Sequence, residues 1–185
     1  MVIVQPFILA ALLLCLVTAF ITDIRIHKIP NWLTYPIIVL AIFVYSIING
    51  YQGLIFSTAG LGLGFAVLVP FYAIGGMGAG DVKLMAAVGA ALGPVNLFYA
   101  FLCTAVAGGI YSSIVLLSGT GRIRGFLSRF YAALRTFVLV RELSLPRIDG
   151  GGSGLKMYYG LAISIGTLVY IFFEIYRGNI TFLFL

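Results

Sequence analysis

The sequence predicts an all-α, polytopic integral membrane protein of about six transmembrane helices with a basic amphipathic cytoplasmic segment. Three observations carry this prediction. Hydrophobic residues make up 62% of the 185 positions and charged residues 9%, whereas a soluble domain carries about 25% charged residues. The apolar residues fall in long uncharged runs, and a span needs about 20 such residues to cross a hydrocarbon core about 30 Å thick. The Lys and Arg residues stand beside those runs rather than inside them. A chain of this length has room for one domain, residues 1–185, with short connections.

The first span reads from Val4 to Thr22 and exits at the polar cluster Asp23, Arg25, His27 and Lys28. It lacks a basic leader and runs apolar too long for a cleaved signal peptide, so it is expected to stay in the mature protein. Pro30 blocks continuation of that helix. Trp32 opens a second run to Ile48, with Trp32 and Tyr35 as interfacial aromatics, and the turn Asn49-Gly50-Tyr51-Gln52-Gly53 closes it. A third run, Leu54 to Ile74, contains Gly60, Gly62 and Gly64, small residues of the kind that let membrane helices approach closely.

Gly75-Gly76-Met77-Gly78-Ala79-Gly80-Asp81 follows. Four glycines in six positions make poor helix, so an irregular backbone facing protein or a water-filled cleft is expected there. The apolar sequence from Val82 to Leu117 divides at Gly93-Pro94. Its first piece, Val82 to Leu92, rises only about 17 Å and predicts a short or tilted fourth helix.

Ser118 to Lys156 holds seven of the eleven Lys and Arg residues. There Arg124, Arg129, Arg135 and Arg141 alternate with aromatic and aliphatic residues, which predicts an amphipathic helix on an anionic membrane surface. Gly150 to Gly154 reads as a hinge, and Met157 to Tyr176 as the last span. Ten of the eleven basic residues then share one side, leaving Arg177 on the other. The positive-inside rule makes the first side cytoplasmic, with both termini outside and with Asp23 and Asp81 on the cytoplasmic face. The net charge of +6 thus reads as topology and contact with membrane lipids, not as affinity for nucleic acid.

The chemical inventory is short: five acids, one histidine and two cysteines. His27 shares its loop with Arg25 and Lys28, which excludes a credible Ser-His-Asp set, and no metal-ligand spacing exists. Cys15 and Cys103 sit in apolar runs as packing residues. A pair of carboxylates remains. Two aspartates sharing a proton can activate water against a peptide carbonyl without metal or cofactor. Asp23 ends a helix, where the dipole disfavours negative charge, and Asp81 begins one, where it is favoured, so Asp81 is expected to be the ionised partner. Taken singly, Asp81 is also explained as a helix cap and Asp23 as a topology-setting loop charge. Acids at the membrane are costly, and their pairing favours function. Gly78 and Gly80 would let an extended substrate backbone approach the carboxylates. Lys28 and Lys83 fit tuning of the pair, contact with lipid phosphate, or simple snorkelling.

Gly78-Ala79-Gly80-Asp81-Val82-Lys83 resembles the GxGD motif of membrane aspartic peptidases, in the GxGDxK form of prepilin peptidases. Asp23, followed by Pro30 and Asn31, resembles the same family's other aspartate motif. Ala86-Ala87-Val88-Gly89 and Tyr159-Gly160-Leu161-Ala162-Ile163 extend the likeness. The short form resembles the Tad/CpaA type, without the cytoplasmic insertion that relatives use for methyl transfer. The resemblance implies cleavage of basic leaders from type IV prepilin-like precursors at the inner membrane, with Asp23 and Asp81 as the catalytic pair and no methyltransferase activity. Two other classes stay open: a proton-coupled transporter or channel relaying protons through Asp23 and Asp81, which no internal repeat supports, and a non-catalytic pilus assembly protein.

Overall fold

A computed structural model describes residues 6–26, 29–73, 77–117 and 159–177. His27, Lys28, Gly75 and Gly76 lie outside the described residues, as do the expected amphipathic segment and the hinge at 150–154. The described residues form four helices and no strand: α1 (Pro6–Ile26), α2 (Asn31–Ala73), α3 (Ala79–Leu117) and α4 (Tyr159–Tyr176). All four are long and apolar enough to cross a membrane. Large apolar side chains such as Leu14, Phe43 and Phe172 face outward, the arrangement of a bundle solvated by lipid.

Helix α1 buries Ile8, Leu9, Leu12, Cys15, Leu16, Ala19 and Asp23. Steps of three and four put these on one face, so the stripe that packs the bundle ends on a carboxylate. The helix does not stop at Thr22, as the polar cluster suggested. Thr18 and Thr22 turn their hydroxyls back to the carbonyls of Leu14 and Thr18, and the helix runs one further turn, carrying Asp23 inside it. Only residues 27–30 then separate α1 from α2.

Helices α2 and α3 each contain one break. In α2 it is Gly50, with φ 57° and ψ −137°, a conformation that a side chain would strain. The five-residue turn expected at 49–53 is therefore reduced to one non-helical residue. Gly53 can follow so closely because a Cβ there would strike the Tyr45 carbonyl. In α3 the break is Gly93, φ 77°, followed by Pro94, where the sequence divides. The Phe56 ring fills the space that a Cβ on Gly93 would take.

Residues 79–92 of α3 form the centre of the bundle. Leu84, Met85, Val88, Ala90, Ala91 and Leu92 are buried, so this piece is apolar on every side because neighbouring helices surround it. The residues 51–73 of α2 cross it at glycines. A Cβ on Gly60 would strike the backbone of Gly89, one on Gly89 would strike Gly60, and Gly64 lies against Met85 and Ala86. Gly62 faces open space, so two of the three glycines read as small contact residues serve that purpose. Tyr45 donates to the Ala91 carbonyl at 2.8 Å and Ser57 to the Ala90 carbonyl at 2.9 Å. Such bonds average about 0.6 kcal/mol between membrane helices, so packing contributes more to the crossing than they do.

Helix α4 lies against α3 and α1. Gly166 admits the Thr104 backbone, and Tyr170 donates to Asn96 Oδ1 at 3.0 Å while stacking on Tyr99. These contacts fix the helix along its length and thereby fix its N-terminal turn beside the end of α1.

Candidate active site

Asp23 reaches the site as the last member of the buried stripe of α1, with 7% of its surface exposed. Its Oδ2 accepts the Leu161 backbone N–H at 3.0 Å, across 138 residues of chain. Leu161 belongs to the first turn of α4, whose N–H groups have no partner within the helix.

Asp81 stands in the first turn of α3 with 8% exposed. Its Oδ2 accepts the Gly78 N–H at 3.0 Å, and its own N–H donates to the Gly78 carbonyl at 3.2 Å. This closed turn orients the carboxylate as the reciprocal arm of a capping box, in which the third residue of the helix accepts the N–H of the cap residue Gly78; Asp81 is not itself the cap. The glycines around it act by their smallness. A Cβ on Gly80 would come to 3.1 Å from Ile29 Cβ, and one on Gly78 to 3.4 Å from Asp81 Oδ2.

Ile29 joins the two halves. Gly80 packs on it from the Asp81 side; on the other side Gly160 faces both Ile29 and Asp23, and a Cβ there would come to 2.9 Å from Ile29 Cδ1 and 2.9 Å from Asp23 Oδ2. The carboxylates are close enough for the charge of Asp23 to act on Asp81, and Tyr159 lies within electrostatic reach of Asp81. Asp23 and Asp81 therefore occupy one end of the bundle.

The flanking motif residues meet as well. Lys83 donates from Nζ to Asn31 Oδ1 at 2.9 Å, with its ammonium 5.3 Å from the centre of the Tyr35 ring. Lys83 is thus engaged with protein, whereas the sequence left tuning of the pair, contact with lipid phosphate and snorkelling open. Pro30 precedes α2 and its carbonyl accepts the Leu33 N–H at 3.1 Å. Lys28 lies outside the described residues. Cys15 is buried and sets its thiol toward the Leu33 carbonyl, and Cys103 is half-buried. Among the described residues no group of three His, Cys, Asp or Glu side chains is placed to hold a metal.

The structure alters one electrostatic expectation. Asp23 lies near the C-terminal end of α1 yet also caps the N-terminal end of α4. Both carboxylates accept a backbone N–H at a helix start, so the dipole asymmetry that singled out Asp81 as the ionised partner is largely offset. Sequence reasoning did not place Ile29, Tyr159, Gly160 or the Leu161 N–H at this site.

Comparison with known proteins identifies the family. The type IV leader peptidase family matches residues 10–113. A prepilin leader peptidase/N-methyltransferase of Vibrio cholerae is 35% identical over 114 residues, covering 56% of this chain and 43% of that protein. One from Bacillus subtilis is 33% identical over 109 residues, covering 56% and 42%. The chain thus spans somewhat over two fifths of the length of either relative, and no solved structure matches significantly. The matched residues contain both aspartates, the glycines before Asp81 and the Lys83–Asn31 contact. On this match and the buried aspartate pair, the chain belongs to the type IV leader peptidase family.

Proposed function

We propose that this protein is a membrane aspartic endopeptidase that removes the short basic leader of type IV prepilin-like precursors, with Asp23 and Asp81 activating the attacking water. The observation that carries the reading is the convergence of two buried carboxylates, 58 positions apart in the sequence, each oriented by a backbone N–H and gathered on the two sides of Ile29. Two like charges so placed favour a state in which the pair holds one proton. One carboxylate takes a proton from water as the water oxygen bonds to the scissile carbonyl carbon. The protonated partner gives its proton to the carbonyl oxygen, forming a tetrahedral diol. The carboxyl group that took the proton from water then protonates the amide nitrogen while the other carboxylate takes a proton from the diol; the C–N bond breaks, a new acid and a new amine leave, and the pair again holds one proton.

The decisive variants are Asp23→Asn and Asp81→Asn. Asparagine keeps a carbonyl oxygen able to accept the Leu161 or Gly78 N–H, so the fold is retained while the shared proton is lost. Each variant is expected to lower precursor cleavage by about 10³-fold or more, read by mass spectrometry of a co-expressed precursor. Normal cleavage by both variants would discard the peptidase reading in favour of a proton relay or an assembly role. The link between α1 and α2, residues 27–30, has no room for an inserted domain, which supports peptidase activity without methyl transfer. Incubation with a labelled methyl donor is expected to leave the product unlabelled, and incorporated label would contradict this.

We further infer six crossings of the inner membrane, with the site on the cytoplasmic side and both termini outside. At 1.5 Å per residue α2 is about 64 Å long and α3 about 58 Å, each near twice the hydrocarbon thickness. The breaks at Gly50 and Gly93 support dividing each into two spans. Cysteines introduced at Tyr51 and Asn31 are expected to react with an impermeant thiol reagent from opposite sides; reaction from the same side rejects this topology.

A further inference from the structure

We propose that the first turn of α4 is the third component of the active site, with the Leu161 N–H and Gly160 as positioning groups for Asp23. This rests on the peptidase reading and deepens it, and α4 lies beyond residues 10–113, the part matched to the family. Two independent features lead to it. The Leu161 N–H donates to Asp23 Oδ2 at 3.0 Å, and it is a donor that no carbonyl within α4 can satisfy. Gly160, beside it, is buried with its α-carbon facing the same carboxylate; an added Cβ would come to 2.9 Å from Oδ2 and 3.0 Å from Cγ. One carboxylate thus serves as a helix cap and as half of the catalytic pair.

The consequence is geometric. A free Asp side chain samples several rotamers. Here one oxygen is tied to α4, which fixes the carboxylate plane and leaves the other oxygen's direction determined. Gly160 sets how near α4 can come. An alanine in its place meets the ends of two side chains, Asp23 and Ile29, rather than backbone. Those ends can yield, so the fold survives while the carboxylate is displaced. Neither group touches the scissile bond, and their action is to hold the one that does.

Two substitutions separate the donor from the shape. Leu161→Pro removes the N–H at a first-turn position where no intrahelical bond is lost, and Leu161→Met keeps the N–H while changing the side chain. Gly160→Ala keeps the N–H and pushes on Asp23. With a purified precursor as substrate, Leu161→Pro and Gly160→Ala are each expected to lower kcat about 100-fold, the scale of a 1 Å misplacement. KM should change less than about threefold, because the substrate's binding groups are untouched. Leu161→Met is expected to retain wild-type kcat. If Leu161→Pro fails to accumulate in the membrane, Gly160→Ala alone decides. Wild-type kcat in Gly160→Ala, or a raised KM with unchanged kcat, would overturn the inference. Because the parent protein still cleaves in that outcome, and loses cleavage in Asp23→Asn, the peptidase reading would stand.

Discussion

Glycines bring chain segments together at two places in this molecule, and what lies opposite them differs. At the crossing of α2 and α3, Gly60 and Gly89 face each other's backbone. At the end of the bundle, Gly160 faces the side chains of Asp23 and Ile29, while Gly80 meets the Cβ and backbone of Ile29. Backbone inside a helix cannot move without breaking its ladder, whereas a side chain can change rotamer at a cost of order 1 kcal/mol. The first place therefore supports the fold, and the second sets the position of the Asp23 carboxylate.

The largest effect that would break this contrast is at the crossing. Gly89→Val puts a branched side chain into the Gly60 backbone and is expected to destabilise the bundle by about 3 kcal/mol or more, seen as loss of folded protein in a detergent unfolding titration. Gly62→Ala is the control on the facing helix α2, since nothing lies within 4 Å of its added Cβ. Its stability should be unchanged or raised by up to about 1 kcal/mol. If the two variants unfold alike, close approach is not what holds α2 on α3. Gly160→Ala belongs between them, with near-parental stability and the loss of kcat described above.

The same contrast explains what could be read from sequence. Uncharged runs and the positions of Lys and Arg are sufficient to foresee helices crossing a lipid phase, because lipid admits few other backbones. The break at Gly93-Pro94 was legible for a local reason, the loss of an N–H and a side chain at adjacent positions. Gly50 was legible only as part of a wider turn, since its neighbours have ordinary helical propensity and the one-residue break depends on Gly53 approaching Tyr45. Asp23 and Asp81 could be singled out as candidates because so few acids occur in the chain. The contribution of α4 could not be seen in the same way. It consists of a main-chain N–H and of Gly160, a glycine visible in the sequence whose place opposite Asp23 depends on the packing of α4 beside α1. The dipole argument for Asp23 weighed only the helix end visible in its own segment; the backbone N–H it accepts lies 138 residues away.

The smallest effect concerns the contact between the two motif segments. Lys83 and Asn31 meet at 2.9 Å beside the Tyr35 ring, at a site where Asn31 is exposed and solvent or headgroups compete for both partners. A contact of this kind contributes below about 1 kcal/mol, and its value lies in register: it links the start of α2 to the first turns of α3, two residues beyond Asp81. Lys83→Met and Asn31→Leu are each expected to lower kcat by less than about tenfold, and the double variant by no more than the worse single one. That non-additivity in a double-mutant cycle is the mark of one shared contact. If the two losses multiply, Lys83 and Asn31 act on different partners, and the distinction drawn here sharpens: positioning of the carboxylates would then come from the glycine-lined contacts with Ile29 and α4, with the Lys83 ammonium acting elsewhere on the membrane surface.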